Sequence, residues 1–365
     1  MILERLSILS YKNINQADLT FSTKVNCFLG KNGMGKTNLL DAIYYLSFCK
    51  SHNNLIDSQN IAHDADFSLI QGYYRQNDGK EDEFFCSLRR RQKKQFKRNK
   101  KEYEKLSDHI GYLPLVMVSP ADSEIITGGS DERRKFMDVV LSQFDKEYLH
   151  SLIRYNKALQ QRNALLKSEI QTDESLYELW EEQLAAEGQI IYQKRKAFID
   201  EFIPTFQHYY NLICQSNESV SLAYESQLAE GSLLELLKQK RERDKILGYT
   251  TAGIHRDDLD MRLGDYSIKK IGSQGQNKTY VVALKLAQFD FLHKSSKITP
   301  ILLLDDIFDK LDSSRVEQIV KLVAGNNFGQ IFITDTNREH LDEILSGLNS
   351  EYHLYQVQWG EVNQL

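Results

Sequence analysis

The sequence is poor in several features that would each have marked a class of protein. Four cysteines in 365 residues, Cys27, Cys49, Cys86 and Cys214, lie far apart with no paired spacing. That argues against a zinc ribbon, a redox motif or a disulfide framework, and fits a reducing cytosol. No run approaches the roughly 18 apolar residues a membrane span needs. The opening MILERLSILS carries Glu4 and Arg5 where a secretory signal is apolar, so a strand is expected there, not a leader. Positive charge is not in excess either. The formal net charge is -5, so any nucleic-acid surface must come from local clustering. Internal repeats and low-complexity linkers are lacking. What remains is ordinary for a globular chain, 41% hydrophobic and 27% charged, and long enough for one large or two ordinary domains.

From residue 1 to about 90, apolar and polar positions alternate between polar turns, which predicts strands and hairpins. One helix interrupts them over Asn38–Phe48, with Leu39, Leu40, Ile43, Leu46 and Phe48 at helical spacing. Between about Ser130 and Asn217 glycine nearly disappears and helical periodicity takes over, with Ser130 or Asp131 as N-cap. A second helical stretch from about Leu176 to Ser216 is expected to kink or break at Pro204. These helices read as a compact lobe, too interrupted for a coiled-coil arm. Strand character returns at Ser219–Tyr224 and before His255. A glycine-containing turn, GSQGQ, a helix over Gln276–His293, the apolar run ILLLDD and a closing strand QIFIT follow. The pattern is an α/β core whose halves are separated by a helical insertion.

The strand-like VNCFL leads into GKNGMGKT at 30–37 and directly into a helix, the setting a G-x-x-x-x-G-K-[ST] phosphate loop requires. Gly30, Gly33 and Gly35 let the backbone wrap and aim its amides at phosphate oxygens. Lys31, Asn32, Met34 and Asn38 complete the cradle, and the helix N-terminus adds partial positive charge. Lys36 reaches the terminal phosphates, and Thr37 ligates a magnesium that bridges them. ILLLDD at 301–306 has the apolar run of a strand buried on both faces. Asp305 at its end fits a magnesium-holding carboxylate, and Asp306 a base or orienter for attacking water. The bland alternatives are a glycine-rich turn and a solvated acidic strand end. GSQGQ at 272–276 is weak alone. The order of that loop, a helix, ILLLDD and then DKLD at 309–312 is the order of ABC ATPases: signature, Walker B, D-loop.

On FLGKNGMGKTNLLDAIYYLSFCKSH, KLSDHIGYLPLVMVSPAD, RRKFMD, RYNKALQQRNALL, HRDDL at 255–259, SQGQ and LLLDDIFDKLD, the chain resembles the RecF family over essentially its whole length. These are bacterial recombination and repair ATPases related to SMC heads. The resemblance implies an α/β fold, an ABC-type P-loop ATPase head. Its mixed β-sheet core lobe would take residues 1–120 and 296–365, and a second, mainly helical lobe would take 121–295 with the signature. It implies a cytoplasmic protein that binds ATP and Mg2+, hydrolyses ATP slowly and dimerises when ATP binds. Each nucleotide would sit between the phosphate loop of one subunit and Ser273, Gly275 and Gln276 of the other. It further implies DNA as partner, double-stranded, gapped or at single-strand junctions, with RecO and RecR, in helping RecA load.

The chain departs from the wider pattern in places. Asp306 stands where most ABC ATPases have Glu, a feature the family shares, and its shorter reach fits slow hydrolysis. Thr336 stands near the usual sensor His. No Gln occupies Ser119–Asp122, Asn53 replaces a usual Arg after Ser51-His52, and Ile254 replaces a Pro before HRDDL.

Other features have two readings. Arg89, Arg90, Arg91, Lys93, Lys94, Lys97, Arg98, Lys100 and Lys101 surround Phe96. They form either a salt-sensitive DNA contact or a solvated hairpin balanced by Glu81, Asp82 and Glu83. His255, Arg256, Asp257 and Asp258, placed on a strand, point to opposite faces and cannot all meet one metal; a structural salt-bridge role or a contact near the nucleotide is expected. Lys157, Arg162 and Lys167 lie opposite Leu159, Leu165 and Leu166 and are expected to form a solvated face. Two rival functions remain in view. A transporter ATPase subunit is disfavoured by the long separation of phosphate loop and signature; a nucleotide-dependent scaffold without significant hydrolysis stays open.

Overall fold

A computed structural model of the chain describes every residue except 55, 77, 169–172, 216, 217, 309, 310, 326, 327, 340, 341, 343, 344 and 346–350. The elements are β1 (Ile2–Tyr11), β2 (Ile14–Thr20), β3 (Val25–Leu29), α1 (Lys36–Phe48), β4 (Phe67–Arg75), β5 (Glu81–Arg89), β6 (Gln95–Arg98), β7 (Lys101–Glu102), β8 (Leu115–Val118), α2 (Glu124–Thr127), α3 (Ser130–Phe144), α4 (Lys146–Leu166), α5 (Glu174–Cys214), β9 (Val220–Glu225), α6 (Leu233–Leu247), β10 (Asp258–Leu263), β11 (Tyr266–Ser267), α7 (Ile268–Ile271), α8 (Gln274–Ser296), β12 (Ile301–Asp305), α9 (Ser313–Ala324), β13 (Ile331–Asp335), β14 (Tyr352–Gln358) and β15 (Glu361–Gln364). Among the described residues no helix is long and apolar enough to cross a membrane.

The chain divides into two compact units. One comprises Met1–Asp122, Leu212–Cys214 and Lys278–Leu365, the other Ser123–Asn211 and Gln215–Asn277. The second boundary falls inside α8, earlier than the residue 296 expected from sequence. From Thr279 to Phe289 every residue of α8 is buried, so the helix is a core element of the first unit and lacks an amphipathic stripe.

The first unit contains two six-stranded sheets, one antiparallel and one mixed. In one, β2-β1-β4-β5-β6-β7 are antiparallel; the other has the order β15-β14-β3-β13-β12-β8. In the second sheet β8, β12, β13, β3 and β14 run parallel, and β8, β12 and β13 are buried at every position. Continuous apolar runs such as LVMV and IFIT are what a strand covered on both faces requires. QIFIT therefore does not close the sheet. It lies between β3 and β12, while β14 and β15, unread in the sequence, form the edge. Tyr355 of β14 fixes that edge against Phe28 of β3, with ring centroids 5.2 Å apart. Helix α1 begins at Lys36 and touches β1, β4 and β5 of the antiparallel sheet and β8, β12 and β13 of the other. That explains why Leu39–Phe48 are all buried.

The β14–β15 connection is a two-residue turn between the paired Gln358 and Glu361. Trp359 has φ 53 and Gly360 φ 83, the signs of a type I′ turn. Left-handed backbone costs an ordinary L residue roughly 1–2 kcal/mol, so Trp359 is an unfavourable choice for the turn alone.

In the second unit α3, α4, α5 and α6 accompany a small antiparallel sheet, β11-β10-β9. Helix α5 runs through Pro204 without a break, which removes the break from the two expected alternatives. The 254–256 segment is a short 3-10 turn, and the strand follows it as β10, so HRDD is mostly not on a strand. The salt-bridge reading of HRDD nevertheless holds. Asp258 pairs with Arg133 at 2.6 Å, and Asp257 accepts from Arg195 at 3.1 Å. His255 is held neutral, its pKa lowered to about 4 chiefly by burial. Its Nε2–H donates to the Thr250 carbonyl at 3.0 Å, so Nδ1 accepts from the Tyr155 hydroxyl at 2.8 Å. Both ring nitrogens are thus spent on hydrogen bonds, which leaves no lone pair for a metal. Arg162 overturns the solvated-face expectation: Lys157 and Lys167 are exposed, but Arg162 is 0% exposed.

Candidate nucleotide-binding site

The phosphate loop follows β3 at the carboxyl edge of the parallel sheet, where Asp305 and Asp335 also stand at the ends of β12 and β13. This is the edge at which open α/β sheets bind ligands. Gly33 (φ 80) and Gly35 (φ 113) occupy the left-handed region, which few other residues tolerate. At Gly30 a Cβ would collide with the Val357 carbonyl. Gly35 is the N-cap of α1, and no side chain caps the helix. The first-turn amides of Lys36, Thr37 and Asn38 are left for an external anion.

Lys36 is buried. Its ammonium donates to the Gly30 carbonyl at 2.7 Å and the Lys31 carbonyl at 3.3 Å, and lies 3.9 Å from Asp306 Oδ1. Thr37 Oγ1 donates to Asp305, 3.0 and 2.9 Å from its two oxygens. The sequence motifs that suggested Lys36, Thr37, Asp305 and Asp306 therefore meet in space. Burial pushes the Asp305 carboxyl above its usual range, while hydroxyls of Thr334 and Thr37 and the charge of Lys36 pull the other way. A buried carboxylate beside a hydroxyl is a hard-oxygen pair suited to magnesium, so these residues fit that ion. Asp306 has a left-handed backbone (φ 45) and donates its N–H to Thr334 Oγ1 at 3.0 Å.

Sequence reading missed several groups. Thr334, inside the QIFIT run, bonds Asp305 at 2.7 Å; Thr336, which stands near the place of the usual sensor His, is exposed on the bend beyond β13. Asn13, in the β1–β2 turn, accepts from Asn38 Nδ2 at 2.7 Å. Asp41, one turn beyond Thr37, is fully buried and accepts from Tyr11 (2.5 Å), Lys12 (2.5 Å), Ser51 (2.7 Å) and the His52 amide (2.6 Å). Asp41 thus anchors the β1–β2 turn and the 51–52 loop to α1. A carboxylate inside the otherwise apolar LLDAIYYL was the available signal. Asn53 is exposed and lies 2.9 Å from His52 Nδ1. At the Q-loop position Asp122 is buried, accepts from the Ser119 amide at 2.7 Å and pairs with Lys285 at 2.7 Å. Of DKLD, Asp309 and Lys310 lie outside the described residues, and Asp312 caps α9 through the Arg315 amide at 3.0 Å.

The signature segment belongs to the other unit. Helix α8 starts at Gln274, two residues before its expected start. Ser273 Oγ accepts from the Gln276 amide at 3.2 Å, and the Ser273 amide donates to Gln276 Oε1 at 2.9 Å. This reciprocal capping box fixes the turn and leaves the exposed Ser273 hydroxyl its own proton to donate. Gly275 and Gln276 lie in the first helical turn, half-exposed.

The basic run splits in two. Lys94 donates to the Cys49 carbonyl at 2.6 Å, Arg98 to Asp82 at 3.1 Å and Arg90 to the Ala65 carbonyl at 3.1 Å. Arg91, Lys93, Lys100 and Lys101 are exposed around the tips of the β5–β6 and β6–β7 turns.

The model of the RecF/RecN/SMC N terminal domain family matches residues 2–361. The DNA replication and repair protein RecF of Bacteroides thetaiotaomicron is 66% identical over 365 residues, covering 100% of this chain and 99% of that protein. Its counterpart in Porphyromonas gingivalis is 52% identical and covers 100% of both. A solved structure of the recombination mediator protein RecF with ATP, of the RecFOR pathway, superposes with a TM-score of 0.89 at 28% identity, over 100% of this chain and 97% of that one. An Smc head bound to the C-winged helix domain of ScpA shares the fold, with a TM-score of 0.61 at 15% identity over 100% and 98%.

Proposed function

We propose, from the premise that this chain belongs to the RecF family, that it is an ATP-driven switch of recombinational repair that grips DNA as a dimer. The observation that carries the reading is the convergence of Lys36, Thr37, Asp305 and Asp306 at one sheet edge. ATP lays its phosphates over the amides of residues 33–38, and Lys36 exchanges the Gly30 and Lys31 carbonyls for phosphate oxygens. Thr37 and Asp305 hold Mg2+, which, when bound, neutralises charge on the triphosphate. Asp306, held by the hydrogen bond its N–H donates to Thr334 Oγ1, takes a proton from the attacking water. Ser273 and Gly275 of a second copy meet the terminal phosphate across a two-fold axis, so each ATP bridges two chains. Hydrolysis removes the bridge and loosens the dimer from gapped or duplex DNA. RecO and RecR are the protein partners this reading names.

Asp306→Asn separates the steps. Phosphate release should fall roughly 100-fold or more, the usual range for a lost general base, while ATP-dependent doubling of mass on a sizing column and retention on gapped duplex persist. Hydrolysis at the parental rate would remove Asp306 from the chemistry.

The exposed turn lysines support sequence-independent backbone contact. For Lys100→Glu with Lys101→Glu, the slope of log affinity for duplex against log salt should shrink by about two, near 0.9 per lost phosphate contact. An unchanged slope would assign this hairpin to solvent.

A further inference from the structure

We infer that Trp359 is a contact residue for the nucleotide, its indole stacking on the base of a purine triphosphate whose phosphates lie in residues 30–37. The inference rests on the nucleotide reading of that loop and adds to it the part of the ligand the loop does not touch.

The turn that carries Trp359 is fastened to the loop itself. The Gly360 amide donates to the Met34 carbonyl at 2.8 Å, and the Trp359 amide lies 3.4 Å from Met34 Sδ. A Cβ at Gly360 would strike the Asn13 carbonyl, and a Cβ at Gly30 the Val357 carbonyl. Asn13 in turn bonds Asn38 and crowds the Cβ position of Gly35 at 2.9 Å. Asn13, Asn38 and the Trp359–Gly360 turn thus form one rim along the loop. Asp305 and Asp306 meet the loop elsewhere, through Thr37 and Lys36. The reacting end of a triphosphate belongs with the carboxylates, so the base leaves by the flank the rim lines.

The exposure and residue type at 359 support the same reading. Trp359 is 74% exposed and stands in a left-handed conformation (φ 53) that type I′ turns fill with Asn, Asp or Gly. Neither turn chemistry nor core packing asks for an indole here. A flat aromatic face beside a phosphate cradle is suited to a nucleobase, because every base presents a π face.

The chain has two tryptophans, Trp180 and Trp359, so a Trp180→Phe background isolates the second. ATP and ADP should change its emission saturably, with the midpoint of radiolabelled ATP retention on filters. The change should not depend on protein concentration, and tripolyphosphate, although it competes with ATP, should leave the emission unaltered. Trp359→Asn suits the turn better than the parent residue and keeps the fold. It should weaken ATP roughly 10-fold, within the range of one lost base stack, without changing tripolyphosphate affinity, and Trp359→Phe should recover most of the loss. Filter-bound ATP with silent emission, an equal response to tripolyphosphate, a signal that follows dimer concentration, or unchanged ATP affinity in Trp359→Asn would each overturn the inference. Absence of ATP retention by the parent would overturn the nucleotide reading, and this contact with it.

Discussion

Replacing Lys36 with alanine should weaken ATP binding by roughly 100-fold and strip away most ATP-dependent dimers at a nucleotide concentration that only just saturates the parent. One charge-assisted contact to phosphate contributes about 3 kcal/mol at most, which is roughly 100-fold. The structure adds a second source of loss. The Lys36 ammonium bonds the Gly30 and Lys31 carbonyls at 2.7 and 3.3 Å, so it also holds the loop in its wrapped form. Alanine leaves those carbonyls to water and loosens the cradle. Lys36→Arg keeps the charge but carries a planar fork in place of a compact ammonium, and should fall between parent and alanine. Equilibrium dialysis with labelled ATP measures the first effect, and light scattering with and without ATP the second. Parental affinity in the alanine variant would sink the assignment of residues 30–37.

The second large effect concerns stability. Arg162→Met should destabilise the chain by about 3–5 kcal/mol, the cost of removing one partner from a buried ion pair. Arg162 is fully buried with Glu181 and Asp244, also fully buried, at 3.0 and 2.8 Å. Its guanidinium has five N–H donors, and five bonds are made: two to Glu181, one each to Asp244, the Thr250 hydroxyl and the Leu237 carbonyl. Methionine fills much of the volume but strands two carboxylates away from water. Glu181 keeps Arg241, at 2.6 Å; among the described residues Asp244 keeps the hydroxyl and amide donors of Thr251 and no cation of its own. Asp244→Asn in the Arg162→Met background should therefore recover part of the loss, a coupling that a double-mutant cycle reads in urea unfolding. A midpoint equal to the parent's would mean that the network contributes little.

The two clusters differ in how far the chain revealed them. GKNGMGKT was legible because the backbone must pass through left-handed conformations close to its neighbours, and glycine meets that demand at 33 and 35 without steric cost. ILLLDD was legible because a strand covered on both faces favours an unbroken apolar run up to its end. Arg162 was not, since its partners come from 19, 82 and 88 residues away and a lone arginine on a helix defaults to solvent. Strand order was equally hidden. Periodicity identifies QIFIT as a strand but carries no information about neighbours, so its central place and the β14–β15 edge emerged only with the register. Thr334 and Thr336 differ by two positions, and only the observed strand end separates them, since Thr334 is buried against Asp305 and Thr336 is not.

The joining of Gly360 to Met34 has a temporal consequence during synthesis. The phosphate cradle leaves the ribosome early, yet the hairpin that braces it, and that covers the open flank of β3, comes more than 300 residues later. Until then β3 offers an unpaired main-chain edge of the kind that recruits stray strands. A nascent or prematurely terminated polypeptide would thus remain chaperone-dependent and unable to grip its ligand.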